Sequence, residues 1–219
     1  MKNYLDVLKT VKLFQGIEES NLQPLLSCLC GKVIHYEKGQ TVFFSGESIG
    51  KFGIVLSGQV QIVQEDDYGN RSILAKIDIG NLFGESFACA EIKTLPVSVI
   101  TTTESELLFI DCRRLAVPCA KACGFHSRLI QNMLRIVSMK NIALTQKIEF
   151  TSKRTTREKL LAYLSAEAKK AGCSQFKIPF NRQELADYLS VERSAMSAEL
   201  SKLRDDCVIS FYKNQFELL

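Results

Sequence analysis

The chain has little of what metal-dependent catalysis requires. Only two of its 219 residues are histidines, His35 and His126, and they lie far apart in sequence. A small β-barrel enzyme of the cupin type needs a cluster of histidines and carboxylates to hold its metal. No catalytic triad, phosphate-binding loop or metalloprotease motif is present either. The sequence therefore predicts that this protein is not an enzyme.

Long apolar runs are absent as well. No stretch approaches the roughly 18 consecutive apolar residues of a transmembrane helix. The chain starts Met-Lys-Asn-Tyr-Leu-Asp-Val-Leu, which alternates polar and apolar residues too soon for a signal peptide. We therefore expect a cytoplasmic protein with no membrane partner. In that compartment the eight cysteines should be free thiols, because disulfides do not persist there.

The excess of positive charge is small and lies mostly near the end of the chain. The net charge is +4, and +3 of it falls within residues 151–219. Such an asymmetry suits a polyanionic partner, although many charge excesses are only solvated surface. With 219 residues, the chain is long enough for two domains, each with its own core.

Residues 181–203 have the pattern of a helix-turn-helix. A short amphipathic helix over residues 182–189 is followed by a tight connection at residues 190–192 and by a second helix. Ala186 supplies the small residue where the two helices cross. The apolar positions of the second helix recur at spacings of four and three: Met196, Leu200 and Leu203. A helical hairpin inside a larger core is the alternative interpretation.

Residues 207–219 strengthen this interpretation. They alternate in character on either side of Lys213-Asn214, which is typical of two strands joined by a hairpin turn. A helix-turn-helix with a trailing hairpin is a winged helix, in which the second helix enters the major groove while the wing and the first helix rest on phosphates. The predicted backbone contacts are Arg182, Gln183 and Lys213.

The outward face of the second helix is short and nearly without charge. Arg193 is the only long donor near the start of that helix that could make a bidentate contact to guanine. A contact of Arg193 with phosphate or within the helix is the alternative. The other residues predicted to face DNA are Ser194, Ser197, Ser201 and Lys202, and Ala198 lies among them.

The residue pattern changes twice within the first 150 residues. Residues 1 to about 30 look helical, and short β-rich runs separated by glycines extend from Lys32 to about Asp111, which predicts a small antiparallel barrel or roll. From about Val117 the pattern is helical again and contains a heptad seam, with Asn141 at an a position. The seam residues are Ile130, Leu134, Val137, Asn141, Leu144 and Ile148. This seam predicts a parallel homodimer, and a monomer whose helix has one wide apolar face is the alternative.

A roll, a long helix and a winged helix in this order resemble the CRP/FNR family of bacterial transcription regulators over essentially the full chain. The motifs that carry the resemblance are residues 37–40 (Glu-Lys-Gly-Gln), 54–60 (Ile-Val-Leu-Ser-Gly-Gln-Val), 79–85 (Ile-Gly-Asn-Leu-Phe-Gly-Glu) and 181–186 (Asn-Arg-Gln-Glu-Leu-Ala).

The resemblance implies an α+β fold of three parts. These are a β-roll of the cyclic-nucleotide-binding type (a double-stranded β-helix) over residues 1–116, a dimerisation helix over 117–150 and a winged-helix DNA-binding domain over 151–219. It also implies double-stranded DNA, at a palindromic site, and RNA polymerase as partners.

In family members that bind cyclic AMP, the Gly-Glu of the roll is followed about ten residues later by an Arg-Ser that binds the cyclic phosphate. Here Gly84-Glu85 is present, but the matching segment reads Leu95-Pro-Val-Ser98, without the arginine. A buried phosphodiester without a cation would be poorly compensated for its lost hydration. We therefore expect that cyclic AMP is not the effector, and that the pocket either takes another small ligand or is packed. The candidate pocket residues are Gly84, Glu85, Ser86, Pro96, Val97 and Ser98.

The cysteines and the DNA-facing positions also depart from family patterns. The N-terminal cysteine extension of iron–sulfur members is absent, so no cofactor is predicted. Cys112, Cys119 and Cys123, near His126, could bind a metal or sense oxidants, although buried structural cysteines are common.

Better-known members carry an acidic residue at the position of Ser194 and an arginine at that of Ala198, so their half-site does not transfer, and DNA bending would contribute more to specificity.

Two functions follow from these residues. The first is a homodimeric regulator whose sequence-specific DNA binding is modulated by a small ligand or a redox signal at the roll. The alternative is a ligand-binding module that acts through protein contacts without specific DNA binding, which the nearly chargeless groove face would permit.

Overall fold

The structure is a computed structural model that describes residues 4–65, 71–116 and 125–219. These residues form two compact units, Met1–Ser138 and Met139–Leu219. The boundary falls within a long helix that contributes residues to both units. Within the described residues, no helix is both long enough and apolar enough to cross a membrane.

The first unit begins with two short helices, α1 (Leu5–Thr10) and α2 (Glu19–Cys28), with a 3-10 turn at Lys12–Phe14 between them. Eight strands and two short helices follow. The strands are β1 (Lys32–Tyr36), β2 (Thr41–Phe43), β3 (Lys51–Ser57), β4 (Val60–Glu65), β5 (Arg71–Ile77), β6 (Leu82–Phe83), β7 (Ser98–Thr101) and β8 (Ser105–Asp111). Helix α3 (Glu85–Cys89) lies between β6 and β7, and α4 (Cys112–Ala116) follows β8.

The eight strands form two four-stranded antiparallel sheets. Their strand orders are β1-β8-β3-β6 and β2-β7-β4-β5. The chain passes repeatedly from one sheet to the other, as in a roll. The antiparallel barrel or roll predicted for residues 32–111 is therefore confirmed. The sheets pack tightly around Phe83. A Cβ atom at Gly53 would lie only 2.0 Å from the Phe83 ring, so β3 needs a glycine at this position.

Helix α5 (Phe125–Thr151) begins the long helical part of the chain. Leu129, Met133 and Ile136 are buried in the core of the first unit, whereas Ala143, which lies further along the same side of the helix, is exposed. Asn132 is buried too, and its Nδ2 donates hydrogen bonds to the carbonyl oxygens of Leu13 and Gln15 at 2.9 and 2.8 Å. The beginning of α5 is therefore fixed to the N-terminal helices by both apolar and polar contacts.

The second unit is a three-helix, three-strand domain. Its elements are α6 (Thr156–Ala171), β9 (Gln175–Lys177), α7 (Arg182–Leu189), α8 (Arg193–Asp205), β10 (Ile209–Tyr212) and β11 (Gln215–Leu218). The strands form an antiparallel sheet in the order β10-β11-β9. The hairpin at Lys213-Asn214 was predicted from the sequence. Strand β9 was not.

Candidate DNA-binding surface and ligand pocket

Helices α7 and α8 form the helix-turn-helix. Helix α7 begins with a capping box, in which the Asn181 side chain accepts from the Glu184 N–H at 3.0 Å and the Glu184 carboxylate accepts from the Asn181 N–H at 2.8 Å. The helix ends at Ser190, which has a φ of +52°. Ala186 is fully buried, which allows α7 and α8 to approach closely.

An ionic clasp fixes α8 against α6. The Arg157 Nη1 lies 2.8 Å from the Asp206 Oδ2 and 3.3 Å from the Glu199 Oε1. The hydrogen bond that Arg157 donates to the Asp206 carboxylate, together with the negative charges of Asp206 and Glu199, raises the pKa of Arg157. The two carboxylates are seven residues apart and face the same arginine, and the apolar residues Met196, Leu200 and Leu203 are buried, so the apolar face and the ion pairs together fix the rotation of α8 about its own axis. The outward face of α8 is therefore well defined.

The residues predicted to read DNA lie on that outward face. Arg193, Ser194, Ser197 and Lys202 are exposed and Ser201 is partly buried. The Arg193 guanidinium forms no ion pair within the described ranges, so it is available to a ligand. The Ser194 hydroxyl donates to the Glu192 carboxylate, which lowers the pKa of Glu192, and the Ser201 hydroxyl donates to the Ser197 carbonyl at 3.2 Å. The Lys202 Nζ lies 3.7 Å from the Glu199 carboxylate.

The wing carries Lys213 at its tip, and Lys213 is exposed with a φ of +53°. The Asn214 Nδ2 donates to the Ile178 carbonyl at 3.1 Å, which fixes the turn to the chain after β9. Gln183, at the start of α7, is also exposed, and its Nε2 donates to the Asp187 carboxylate at 2.9 Å. Gln183 and Lys213, two of the three residues predicted to contact phosphate, therefore lie at the surface.

Arg182 differs from the other residues predicted to contact phosphate, because it packs on the wing. Its guanidinium carbon lies 4.8 Å from the centre of the Phe211 ring and 5.1 Å from that of Phe216. Burial lowers the pKa of Arg182. The contact is a cation–π interaction that holds the first turn of α7 against β10 and β11. Arg182 thus has a structural role that the sequence pattern did not reveal.

The candidate ligand pocket centres on the start of α3. Gly84 has a φ of +76° and precedes the helix, whose first residue, Glu85, is only 2% exposed. Ser86 is exposed, and its hydroxyl lies 3.4 Å from the Glu85 carboxylate. A carboxylate is rarely buried to this extent unless it has a structural or ligand-binding role. The predicted residues Gly84, Glu85 and Ser86 are therefore brought together at one place.

The second segment predicted to line the pocket, residues 95–98, offers few donors. Pro96 is exposed and has no N–H, and Val97 is buried in the core of the unit. The Ser98 hydroxyl accepts from the Ser45 N–H at 3.0 Å. The Leu95 N–H donates to the Glu47 carbonyl at 2.8 Å. The segment that replaces the family's Arg-Ser is thus engaged in holding residues 45–47.

An aromatic ring lies directly against Gly84. The Phe43 Cε2 would be 3.0 Å from a Cβ atom at Gly84. The ring belongs to a cluster in which its centre is 5.7 Å from that of Phe83 and 5.8 Å from that of Phe109. Phe43 therefore supplies apolar surface beside Gly84. The sequence pattern gave no reason to single out this residue.

The prediction that all eight cysteines are free thiols is wrong for two of them. Cys89 and Cys112 are joined in a disulfide, whereas Cys30, Cys173 and Cys207 have free thiols. The proposed group of Cys112, Cys119 and Cys123 loses its first member, because Cys112 is bonded to Cys89. Cys119 and Cys123 lie outside the described residues. Within the described ranges, no group of three or more His, Cys, Asp or Glu side chains could hold a metal ion.

The predicted heptad seam is an exposed apolar stripe along α5. Its apolar members are Ile130, Leu134, Val137, Leu144 and Ile148, which are 42%, 66%, 36%, 61% and 66% exposed. Asn141, within the stripe, is exposed as well. Five large apolar side chains on one face of a helix are more than a lone soluble helix usually leaves to water.

Comparison with known proteins agrees with this architecture. Residues 33–117 match the cyclic nucleotide-binding domain, and residues 158–219 match the Crp-like helix-turn-helix domain. The transcriptional activator protein FnrL of Cereibacter sphaeroides is 24% identical over 184 residues, which cover 80% of this chain and 71% of that protein.

Two further relatives differ in the nucleotide that their names mention. A CRP-like cAMP-activated global transcriptional regulator of Mycobacterium tuberculosis is 30% identical over 80 residues, 36% of this chain and 35% of that protein. The solved structure of the c-di-GMP responsive global regulator CLP of Xanthomonas campestris has a TM-score of 0.59 at 21% identity and covers 92% of this chain and 99% of that one. The roll, the helix-turn-helix and the two domain matches together show that this chain belongs to the CRP/FNR family of transcriptional regulators.

Proposed function

We propose that this regulator binds palindromic double-stranded DNA as a homodimer and reads sequence through α8. The observation that carries the proposal is the outward face of α8, which is fixed by the Arg157 clasp and presents an unpaired Arg193. Lys213 and Gln183 flank this face as phosphate contacts. Arg182 contributes mainly by holding the wing to α7, and its charge adds to the local positive potential.

Dimerisation through α5 is part of the same proposal. The exposed stripe supports it, because a second copy related by a two-fold axis would cover the same residues in both chains. Asn141 would then meet its counterpart, where a buried amide pair sets the register of two helices at some cost in stability. The domain boundaries 1–116, 117–150 and 151–219 remain part of this proposal. In this arrangement each half of a palindrome meets one α8.

The β-roll is proposed to receive the signal, either a small ligand or an oxidant. The buried Glu85 beside Gly84 supports a ligand site. Cyclic AMP fits poorly, because Pro96 and Val97 replace the phosphate-binding pair and the Phe43 ring lies over Gly84. The two relatives named for different nucleotides also show that the family name does not identify the effector. We further propose that the protein acts in the cytoplasm with RNA polymerase as a partner, by binding and not by catalysis.

Selection of bound duplexes from a random library tests the proposal. We expect an enriched palindrome whose two halves are about one helical turn apart. The alternative, a ligand-binding module that acts through protein contacts, is favoured by the serine- and alanine-rich face of α8, and it predicts no enriched sequence. Repeating the selection with Arg193→Ala provides the control, because loss of one base preference in each half-site would assign the readout to α8.

A further inference from the structure

The Cys89–Cys112 disulfide joins one exposed and one buried position. Cys89 is the last residue of α3 and is exposed, whereas Cys112 is the first residue of α4 and is 8% exposed. Their Cα atoms are 5.8 Å apart although 23 positions separate them in sequence. The two cysteines are thus held within bonding reach by the fold. Because Cys89 is an exposed residue, small reagents can approach its end of the bond.

The disulfide acts on a short helix, in which Ala88 is buried in the core and Phe87 packs against it. Helix α3 has five residues, and its hydrogen bonds include those from the N–H of Ala88 to the Gly84 carbonyl at 2.9 Å and of Ala90 to the Ser86 carbonyl at 3.1 Å. A single turn of helix is marginal without tertiary support. A covalent bond at the last residue of α3 therefore restricts the whole turn, including Glu85 at its start.

We propose that Cys89 and Cys112 form a reversible dithiol–disulfide site that a hydroperoxide oxidises, and that the state of this site sets how firmly α3 is held. The Cys89 thiolate attacks the peroxide, which gives a sulfenic acid and releases the alcohol, or water from hydrogen peroxide. The Cys112 thiolate then attacks the Cys89 sulfur and displaces water as the S–S bond forms. In total, two thiols and one hydroperoxide give one disulfide, one alcohol and one water.

Exposure decides the order of the two steps. Cys89 reaches solvent, so it is the sulfur that meets peroxide, and Cys112 is the resolving thiol at the edge of the core. In a reducing compartment, a disulfide with one accessible sulfur is expected to be transient and redox-sensing. A dithiol reductant reverses the reaction by attack on the accessible sulfur. The consequence for ligand binding at Glu85 rests on the proposed function of the pocket, whereas the redox chemistry does not.

Peptide mapping of the full-length protein tests the chemistry. The purified protein is reduced with dithiothreitol under native conditions, treated with hydrogen peroxide at one equivalent, alkylated and mapped by mass spectrometry. We expect a Cys89–Cys112 crosslink that forms with peroxide and disappears with dithiothreitol. Cys89→Ser and Cys112→Ser should abolish it, whereas Cys30→Ser, which removes an exposed free thiol of the same unit, should leave it intact. A bond that resists reduction until the protein unfolds, or a crosslink to another cysteine, would overturn the proposal.

Hydrogen exchange tests the effect on α3 without any mutation. The amides of residues 86–90 should exchange at least about tenfold more slowly in the oxidised wild-type protein than in the reduced one. The amides of α8 serve as the internal reference. Equal exchange of α3 in both states would show that the disulfide does not control this helix. Because neither measurement uses DNA, failure of DNA binding would count against the proposed function and leave this inference standing.

Discussion

The exposed stripe on α5 allows the dimer proposal to be tested quantitatively. Leu134 and Leu144 are 66% and 61% exposed in the single chain. Full burial of a leucine contributes about 1.5–3 kcal/mol, so covering the exposed part contributes about 1–2 kcal/mol per side chain. A two-fold interface contains each leucine twice, so the four side chains together contribute about 4–8 kcal/mol to association.

Replacing both leucines by aspartate should therefore dissociate the dimer. The change removes that contribution and also places charges in an apolar seam that offers them no partner. A loss of even 4 kcal/mol weakens dimerisation about 1000-fold. Sedimentation equilibrium should show a monomer for Leu134→Asp/Leu144→Asp at concentrations where the wild-type protein is a dimer. Circular dichroism should show unchanged helix content.

Met139 provides a matched control. It is 60% exposed, similar to the two leucines, but it lies on the opposite side of α5, about 180° around the helix from the centre of the stripe. Met139→Asp should leave the protein dimeric. If the double leucine variant stays dimeric, or if Met139→Asp dissociates the protein to the same extent, the seam is not the interface and our reasoning is wrong.

Three further outcomes are expected. Lys213→Ala should weaken binding to all duplexes alike and reduce the slope of log K against log salt concentration by about one unit. Arg193→Ala should instead relax one base preference in each half-site. A uniform loss of affinity with an unchanged sequence logo would make Arg193 a phosphate contact. Millimolar cyclic AMP or cyclic GMP should not raise the melting temperature. A true effector at a hundred times its Kd would raise the free energy of unfolding by about 2.7 kcal/mol. A saturable rise in melting temperature with either nucleotide would overturn our description of the pocket. Gly53→Ala should destabilise the roll by about 1–3 kcal/mol, because the new methyl group overlaps the Phe83 ring. Calorimetry of Gly50→Ala, where nothing lies within 4 Å of the new methyl group, would show whether overlap is the cause.

Patterns of residues in sequence predicted the elements of this fold well. The alternation around Lys213-Asn214 indicated β10 and β11, and the spacing of Met196, Leu200 and Leu203 indicated the buried face of α8. These signals are local, because a strand or helix that packs on a core must repeat its apolar residues at a fixed period. Strand β9 has only three residues, too few for a period to appear.

Features that depend on contacts between distant residues were not predicted. Nothing in the spacing of eight cysteines identifies Cys89 as the partner of Cys112, because the pairing depends on how α3 and α4 meet. The stacking of Arg182 on Phe211 likewise depends on the position of the wing. In each case the residue type was visible in the sequence, but its partner lies more than 20 positions away and is fixed only by the tertiary structure.

If α8 reads DNA as proposed, its hydroxyl groups favour one kind of base edge. The Ser194 proton is donated to the Glu192 carboxylate and the Ser201 proton to the Ser197 carbonyl, so both oxygens turn their lone pairs outward. Lone pairs accept, and the hydrogen-bond donors that DNA presents in the major groove are the amino groups of adenine and cytosine. Guanine and thymine present acceptors there, and a second acceptor repels them. Arg193 and Lys202, at either end of this face, can only donate, so the proposed readout would pair the two serine oxygens between them with amino-bearing bases and Arg193 with a guanine.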